Sequence, residues 1–504
     1  MHLVIALLAQ ATLALSAPLD DLAGCLRTAS VPIASLAPTP YNLRVPVKPL
    51  LVAVPTTNAQ IASAVTCGSK NGISVSAKSG GHSYISAGYG GEDGHLVINL
   101  DRMYSVTVAS DGTAKVQAGA RLGHVATELY KQGKRAISHG TCPAVGVGGH
   151  ALHGGHGMVS HTYGLATDWI KAATVILANG TITRCSATER PNLFWSIRGA
   201  GSSMVIVAEL EFDTFAAPEK VTYFDIDLVW DTAKLPQVLV DTQEFAKTMP
   251  AELTMSTTFN NDGSYINGAY LGDDAGFRAA VQPLLAKIGA KVSSSKTVGW
   301  IDFIKHYAGV TDIDVTTATY NEVTKALLPY YPNEAGKGRK FTDTMKQHDN
   351  SYASSLTTPA LTKTAFQSLV DTIAKSGLTA SRTWYMHMNF HGGSNSAVAR
   401  PKTNDTAYVH RDKMLLFQLK DGVSTSQTYP SDGFALLQGL RQSITNGLGS
   451  DQWGMYANYP DSQISASDAV RLYWGSNLRR LEWIKADYDP TDLFRFVQSI
   501  EPAE

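Results

Sequence analysis

Two glycine-rich stretches hold the residues best suited to chemistry. The first reads Ser76-Ala77-Lys78-Ser79-Gly80-Gly81-His82-Ser83-Tyr84; the second, well downstream, reads His139-Gly140-Thr141-Cys142-Pro143-Ala144-Val145-Gly146-Val147-Gly148-Gly149-His150. One embeds an imidazole and the other a thiol, both nucleophiles when unprotonated. The glycines present backbone N–H groups with no Cβ to hold a ligand off, which suits a pyrophosphate. Taken alone, the glycines fit ordinary tight turns equally well. The nucleophiles within them favour a cofactor that is gripped by its phosphates and bonded through its reactive ring.

His139, Cys142, His150, His153, His156 and His161 also raise a metal reading. Their spacing, interleaved with glycines and lacking a nearby carboxylate, matches no common zinc or copper template, so no metal is expected. Neither the zinc-protease helix motif nor a Gly-x-Ser-x-Gly elbow is present.

The elements around these stretches follow from periodicity. Leu51–Pro55 reads as a strand, and Thr57 or Asn58 caps a helix with Ile61, Ala64 and Val65 on one face and Gly68 and Gly72 as stops. The strand Ile73–Ser76 delivers the first glycine stretch. Strands follow at 95–100, 105–108 and 114–118, then a helix with Leu122, Val125, Ala126, Leu129 and Tyr130 at helical spacing leads into the second stretch. Residues 170–178 and 204–213 are again strand-like. Past Ala216-Ala217-Pro218 the pattern becomes aromatic-rich strands (222–228, 252–259, 264–271, 384–390 and 414–419) alternating with helices, which predicts an antiparallel sheet covered by helices on one side. A single apolar-striped helix is expected from Ser467 to near Asp489-Pro490.

At 504 residues the chain is long enough for two structural units. Lys and Arg number 42 against 43 Asp and Glu, which leaves no basic excess for a nucleic acid or an anionic membrane. The apolar run Leu3–Ala17, ending at small residues, reads as a secretory signal peptide of residues 1–17 and is too short for an ordinary membrane anchor. Secretion makes Asn179 and Asn404, each in an Asn-x-Thr triplet, candidate glycosylation sites. The four cysteines allow two disulfides in an oxidising compartment. A single Cys25–Cys67 bridge is favoured, leaving Cys142 for chemistry and Cys185 as a buried apolar residue.

The runs SAKSGGHSY, SHGTCPAVGVGGHALHGGHG, YGLATDW, LFWSIRGAG and LRRLEWIKADYDPTDLFRFVQSI closely resemble the berberine-bridge-enzyme-like branch of the flavin oxidases with the vanillyl-alcohol oxidase or para-cresol methylhydroxylase fold. Within it the chain is most similar to the fungal glucooligosaccharide and chitooligosaccharide oxidases. The resemblance implies an α+β fold: an FAD-binding domain over 18–215, a substrate domain over 216–440, and a C-terminal segment, 441–504, returning to the first. It implies FAD attached twice, His82 to the 8α-methyl and Cys142 to C6, a pairing that raises the redox potential and permits an open groove. Ser79, Gly80, Gly81, Ser83, Val145, Gly146, Gly148, Gly149 and Val207 would lie along the cofactor, with Val145 at a position associated with oxygen access.

By the same resemblance Tyr459, in Trp453-Gly454-Met455-Tyr456-Ala457-Asn458-Tyr459, is the base that takes a sugar hydroxyl proton as hydride leaves for flavin. Tyr456 would line the sugar site, and Tyr84, Glu252, Thr254 and Gln418 would contact sugar hydroxyls. The chain departs from the pattern at Asn389, where the glucooligosaccharide enzymes place an aspartate beside the base. His387, two residues away and so on the same strand face, is the expected substitute proton acceptor. The implied activity is oxidation of the anomeric hydroxyl of an oligosaccharide to a lactone, with O2 reduced to peroxide by a secreted monomer. An oxidase of a secondary metabolite or alcohol is the alternative, and a carbohydrate-binding flavoprotein without turnover is the non-enzymatic one.

Overall fold

Short parallel strands deliver the first glycine stretch. In the computed structural model, which describes residues 19–35, 37–314, 320–321, 326–327 and 348–504, Leu51–Ala53, Leu96–Asn99 and Val75–Lys78 form a three-stranded parallel sheet with Leu96–Asn99 at its centre. All four residues of the central strand are buried, as a parallel sheet covered on both faces requires. The segment read as a signal peptide lies outside the described residues.

The helix Asn58–Lys70 packs beside this sheet, with the Thr57 side chain accepting from the Gln60 N–H as N-cap. It runs through Gly68 instead of stopping there. A Cβ on Gly68 would fall 2.4 Å from Val75 Cγ2, so that glycine serves close helix–strand packing, and the turn falls to Gly72 at φ +65°. Cys25 and Cys67 are joined by a disulfide, which fastens the N-terminal segment to this helix, and Cys185 is fully buried.

An antiparallel five-stranded sheet follows, ordered Val106–Val108, Ala114–Gln117, Ile206–Phe212, Ile170–Ile176, Ile182–Ser186. The C-terminal tail packs onto this unit, although as two helices. Ala466–Trp474 and Leu478–Tyr488 are separated at Gly475, whose φ of +46° ends the first. Trp474 donates its indole N–H to the Gly199 carbonyl at 2.9 Å, and buried Lys485, paired with Asp489 at 2.6 Å, donates to the Ser203 carbonyl at 2.8 Å. Leu472, Trp474, Leu481 and Ile484 share one core with Leu193 and Trp195.

The third sheet has seven antiparallel strands in the order Val292–Val298, Val221–Asp227, Gly263–Tyr270, Leu253–Asn260, Thr383–Phe390, Leu415–Gly422, Ser351–Thr358. Along Thr383–Phe390 the side chains alternate: Trp384, Met386, Met388 and Phe390 are buried with the covering helices Leu235–Ala246, Lys363–Thr372 and Phe434–Thr445, whereas Tyr385, His387 and Asn389 occupy the opposite face. That opposite face looks onto the site. Two strands lack a sequence signature. Val292–Val298 is an edge, and Ser351–Thr358 is Ser/Thr-rich yet buried at every position, so neither shows apolar alternation.

Candidate active site

The two glycine stretches meet in space. A Cβ on Gly80 would fall 2.2 Å from the Gly146 nitrogen, and one on Gly146 would fall 2.1 Å from the Gly80 nitrogen. Only glycine at both positions allows this crossing. The second stretch is fixed against the preceding helix by Leu122 N–H to the Val145 carbonyl and Val147 N–H to the Ala120 carbonyl, each 2.9 Å. Beneath the first stretch, buried Asp101 pairs with Lys78 at 2.7 Å and Arg121 at 2.6 Å.

The crossing opens one wall of a cavity of about 570 Å3, a size that accommodates a cofactor. Ser79, Gly80, Gly81, His82, Ser83 and Tyr84 line it from the first stretch, and Cys142, Val145, Gly146, Gly148 and Gly149 from the second; Val207 joins them. His387, Asn389 and Gln418 contribute from the seven-stranded sheet, and Tyr459 from the C-terminal segment. Three residues singled out in the sequence do not line it. Glu252 is exposed in the turn before the strand Leu253–Asn260, Thr254 lines a separate small cavity beside Asn389, and Tyr456 is buried behind Tyr459 with the ring centroids 4.9 Å apart.

Further lining residues had no part in the sequence reading. Tyr41 stacks on the His82 ring at 4.2 Å between centroids. Tyr385, Ser256, Asn267 and Lys420 face the cavity from the sheet, with Lys420 ion-paired to Asp349. Tyr385 and Lys420 follow from period-two counting, four residues before Asn389 and two after Gln418. Tyr41 has no such signal, because its loop carries no periodicity.

No aspartate or glutamate lines this cavity among the described residues. That absence of negative charge, the side-chain-free crossing and the two nucleophiles fit a dianionic pyrophosphate with a ring bonded at its far end. Burial, aided by Arg121 and Lys78, pushes the His82 imidazole down to about 3, which keeps it unprotonated and nucleophilic. Cys142 is a free thiol. Burial pushes it up, and the Ala144 and Val145 N–H groups with Lys420 oppose that rise.

The wall contributed by the seven-stranded sheet and the C-terminal segment is polar. His387 Nδ1 is 2.8 Å from Thr258 Oγ1, and burial pushes the imidazole down to about 4. Asn389 donates its amide N–H to the Leu416 carbonyl at 3.1 Å. Gln418 donates to the Tyr84 hydroxyl at 3.3 Å. Burial, then Tyr456 and Tyr84, hold the Tyr459 phenol well above its ordinary value of 10.

Tyr456 ties this wall to the chain just beyond the second glycine stretch. Its hydroxyl oxygen accepts from the Gly155 N–H at 2.7 Å, the His156 N–H at 3.1 Å and Asn458 Nδ2 at 2.9 Å. Asn458 Nδ2 also donates to the His150 carbonyl at 2.9 Å, which fixes the amide orientation, since a flipped amide would set two oxygens together. Tyr456→Phe leaves the Gly155 and His156 N–H groups without this acceptor, while Asn458 keeps the His150 carbonyl, and is expected to cost about 2–3 kcal/mol of stability. Chemical unfolding compared with wild type measures it, and an unchanged midpoint would count against this anchoring.

Buried neutral histidines give the fold a defined acid response. Burial lowers His150 to about 3 and His156, His161 and His410, like His387, to about 4. An unfolded imidazole takes its proton near 6.5. Between about pH 6.5 and 4 the unfolded chain therefore binds more protons than the folded one, and stability falls as pH drops through that window. Thermal scans should show a lower Tm at pH 5 than at pH 7; a flat profile would contradict the burial of these rings.

Comparisons with known proteins agree with this geometry. The FAD binding domain family matches residues 49–186, and the berberine and berberine-like family matches residues 455–501. A chitooligosaccharide oxidase of Gibberella zeae is 54% identical over 92% of this chain and 89% of its own. The FAD-linked oxidoreductase dpmaF of Metarhizium anisopliae is 51% identical over 96% of this chain and 92% of its own. Among solved structures, glucooligosaccharide oxidase from Acremonium strictum superposes with a TM-score of 0.88 at 39% identity, covering 96% of this chain and 99% of that one. That structure is described as carrying a 6-S-cysteinyl, 8α-N1-histidyl FAD.

Proposed function

The chain belongs to the berberine-bridge-enzyme-like FAD-dependent oxidoreductases, and from that membership we propose that it is a secreted oligosaccharide oxidase which converts the anomeric C1 hydroxyl to a lactone and passes the electrons to O2, releasing hydrogen peroxide. The observation that carries this reading is the shared cavity: His82 and Cys142 line it from the two glycine stretches, and Tyr459, Asn389, His387 and Gln418 line it from other elements. His82 would hold FAD through the 8α carbon and Cys142 through C6. Bound there, FAD supplies the acceptor for the hydride leaving C1.

The remaining chemistry falls to the protein. Tyr459 takes the C1 hydroxyl proton, and its high phenol pKa makes its phenolate a strong acceptor once its own proton has moved on. Asn389 can orient the reacting groups by hydrogen bonding but cannot hold a proton. His387, on the same strand face, is neutral at working pH because burial lowers its imidazole to about 4, so it can accept a hydrogen bond on the proton path but is a weak resting place for the proton itself. His387→Ala is therefore expected to alter the pH dependence of flavin reduction measured anaerobically, and an unchanged profile would remove His387 from the proton path. Tyr84 and Gln418, joined through their side chains, offer an aromatic face and polar groups to a pyranose ring.

Peroxide release screened over cello-, malto-, xylo- and chito-oligosaccharides, with aldonic acid measured in parallel, tests the proposal. Equal yields of the two from at least one series are expected. A second reading, oxidation of a secondary metabolite or alcohol, draws on Asn389 and on the likeness to an oxidoreductase not named for a sugar. Peroxide from no sugar, together with flavin reduction by such a small molecule, would favour it.

A further inference from the structure

His82 follows Gly80 and Gly81, the latter at φ +70°, so the backbone that carries the imidazole gains no stiffness from Cβ atoms. A ring on such a loop must be held by its neighbours if one nitrogen is to meet one carbon. Tyr41 lies against it: the two rings are stacked with centroids 4.2 Å apart and planes 22° from parallel. Stacking covers a face of the imidazole and leaves the in-plane lone pair, which makes the bond, uncovered by the phenol.

Tyr41 is itself anchored to a segment outside both glycine stretches. Its carbonyl accepts from the Asp349 N–H at 2.7 Å, and the Leu43 N–H donates to the Asp349 carbonyl at 2.7 Å. The Tyr41 hydroxyl reaches Asp349 Oδ2 at 3.5 Å, and Asp349 is ion-paired with Lys420 of the seven-stranded sheet. The next residue, Asn42, is fully buried. Its amide donates to the carbonyls of Tyr84 at 2.7 Å and Ser351 at 2.9 Å and accepts from the Ser351 N–H at 3.1 Å. Tyr41 and Asn42 therefore tie the loop that carries His82 to the sheet twice, at the His82 ring and at the Tyr84 backbone.

We propose that Tyr41 is the positioning residue for the His82 flavin bond: anchored through Asp349 and Asn42, its ring fixes the plane of the imidazole so that the nitrogen meets the 8α carbon in one orientation. In that step the His82 nitrogen bonds to the 8α carbon, and the carbon and the imidazole each give up one proton. The two electrons pass to the flavin, from which O2 takes them with two protons and leaves as hydrogen peroxide. The inference rests on the doubly attached FAD proposed above. Cys142 belongs to the other stretch, and its bond to C6 is expected to form without Tyr41.

Peptide mass spectrometry of the full chain as expressed with its FAD reads the two bonds separately. In wild type the His82 and Cys142 peptides should be joined through one flavin. Tyr41→Leu, which keeps apolar bulk without a flat ring, should lower the share of His82 peptide carrying flavin at least about five-fold, with the Cys142 peptide still loaded. Tyr41→Phe, which keeps the ring, should retain the wild-type share on both. Full attachment at His82 in Tyr41→Leu, or loss from both peptides together, would overturn the positioning role. Should the leucine variant fail to fold, the phenylalanine variant still decides: less flavin on His82 than in wild type would overturn the stacking account. Flavin on neither peptide of wild type would overturn the doubly attached FAD instead.

Discussion

Tyr459→Phe is expected to slow anaerobic flavin reduction by about 10²–10⁴-fold, the range for removing a positioned general base, while FAD stays attached. The side chain lines the cavity from the C-terminal segment, whereas His82 and Cys142 belong to the two glycine stretches, so its hydroxyl can be removed while both nucleophiles stay in place. Its segment is held independently by the Tyr459 N–H to the Tyr456 carbonyl at 2.8 Å and by Asn458. The ring's contact with Tyr456 survives the substitution. Stopped-flow bleaching of the flavin gives the rate and its absorbance the occupancy. A rate within three-fold of wild type would assign the base elsewhere.

His82→Ala and Cys142→Ala should each leave one flavin bond, and the double variant none. The two residues sit on different loops, which cross at Gly80 and Gly146, so losing one nucleophile leaves the other in place. After acid precipitation, yellow colour should stay with wild type and with each single variant and pass to the supernatant in the double variant. Each single variant should also show a lower flavin potential, as loss of one link implies. Complete release of flavin from both single variants would show that neither bond forms alone.

These predictions rest on a site that was largely legible in the sequence, for a physical reason. Within each run the glycines and the nucleophile are close in space because they are close in the chain, whereas the joint service of the two runs to one cofactor follows from the family resemblance; period-two counting placed His387 beside Asn389. What escaped was set by contacts between distant segments. Tyr456 adjoins Tyr459 in sequence, yet its hydroxyl is bound by the Gly155 and His156 N–H groups and does not line the cavity. The strand Ser351–Thr358 is buried through hydroxyl-bearing residues, so apolar alternation had nothing to register. Gly475 splits the tail helix because its left-handed φ is compatible with glycine, and an apolar stripe that continued across it concealed the break.

Oxidation at C1 separates a lactone-forming oxidase from one that attacks any other hydroxyl of the sugar. Anaerobic mixing of the holoenzyme with a reducing-end oligosaccharide, and separately with the same oligosaccharide reduced to its alditol, tests this directly. Flavin bleaching by the first and none by the second is predicted, because only the first carries an anomeric hydroxyl. Bleaching by both at similar rates, or by neither across the four sugar series, would contradict it.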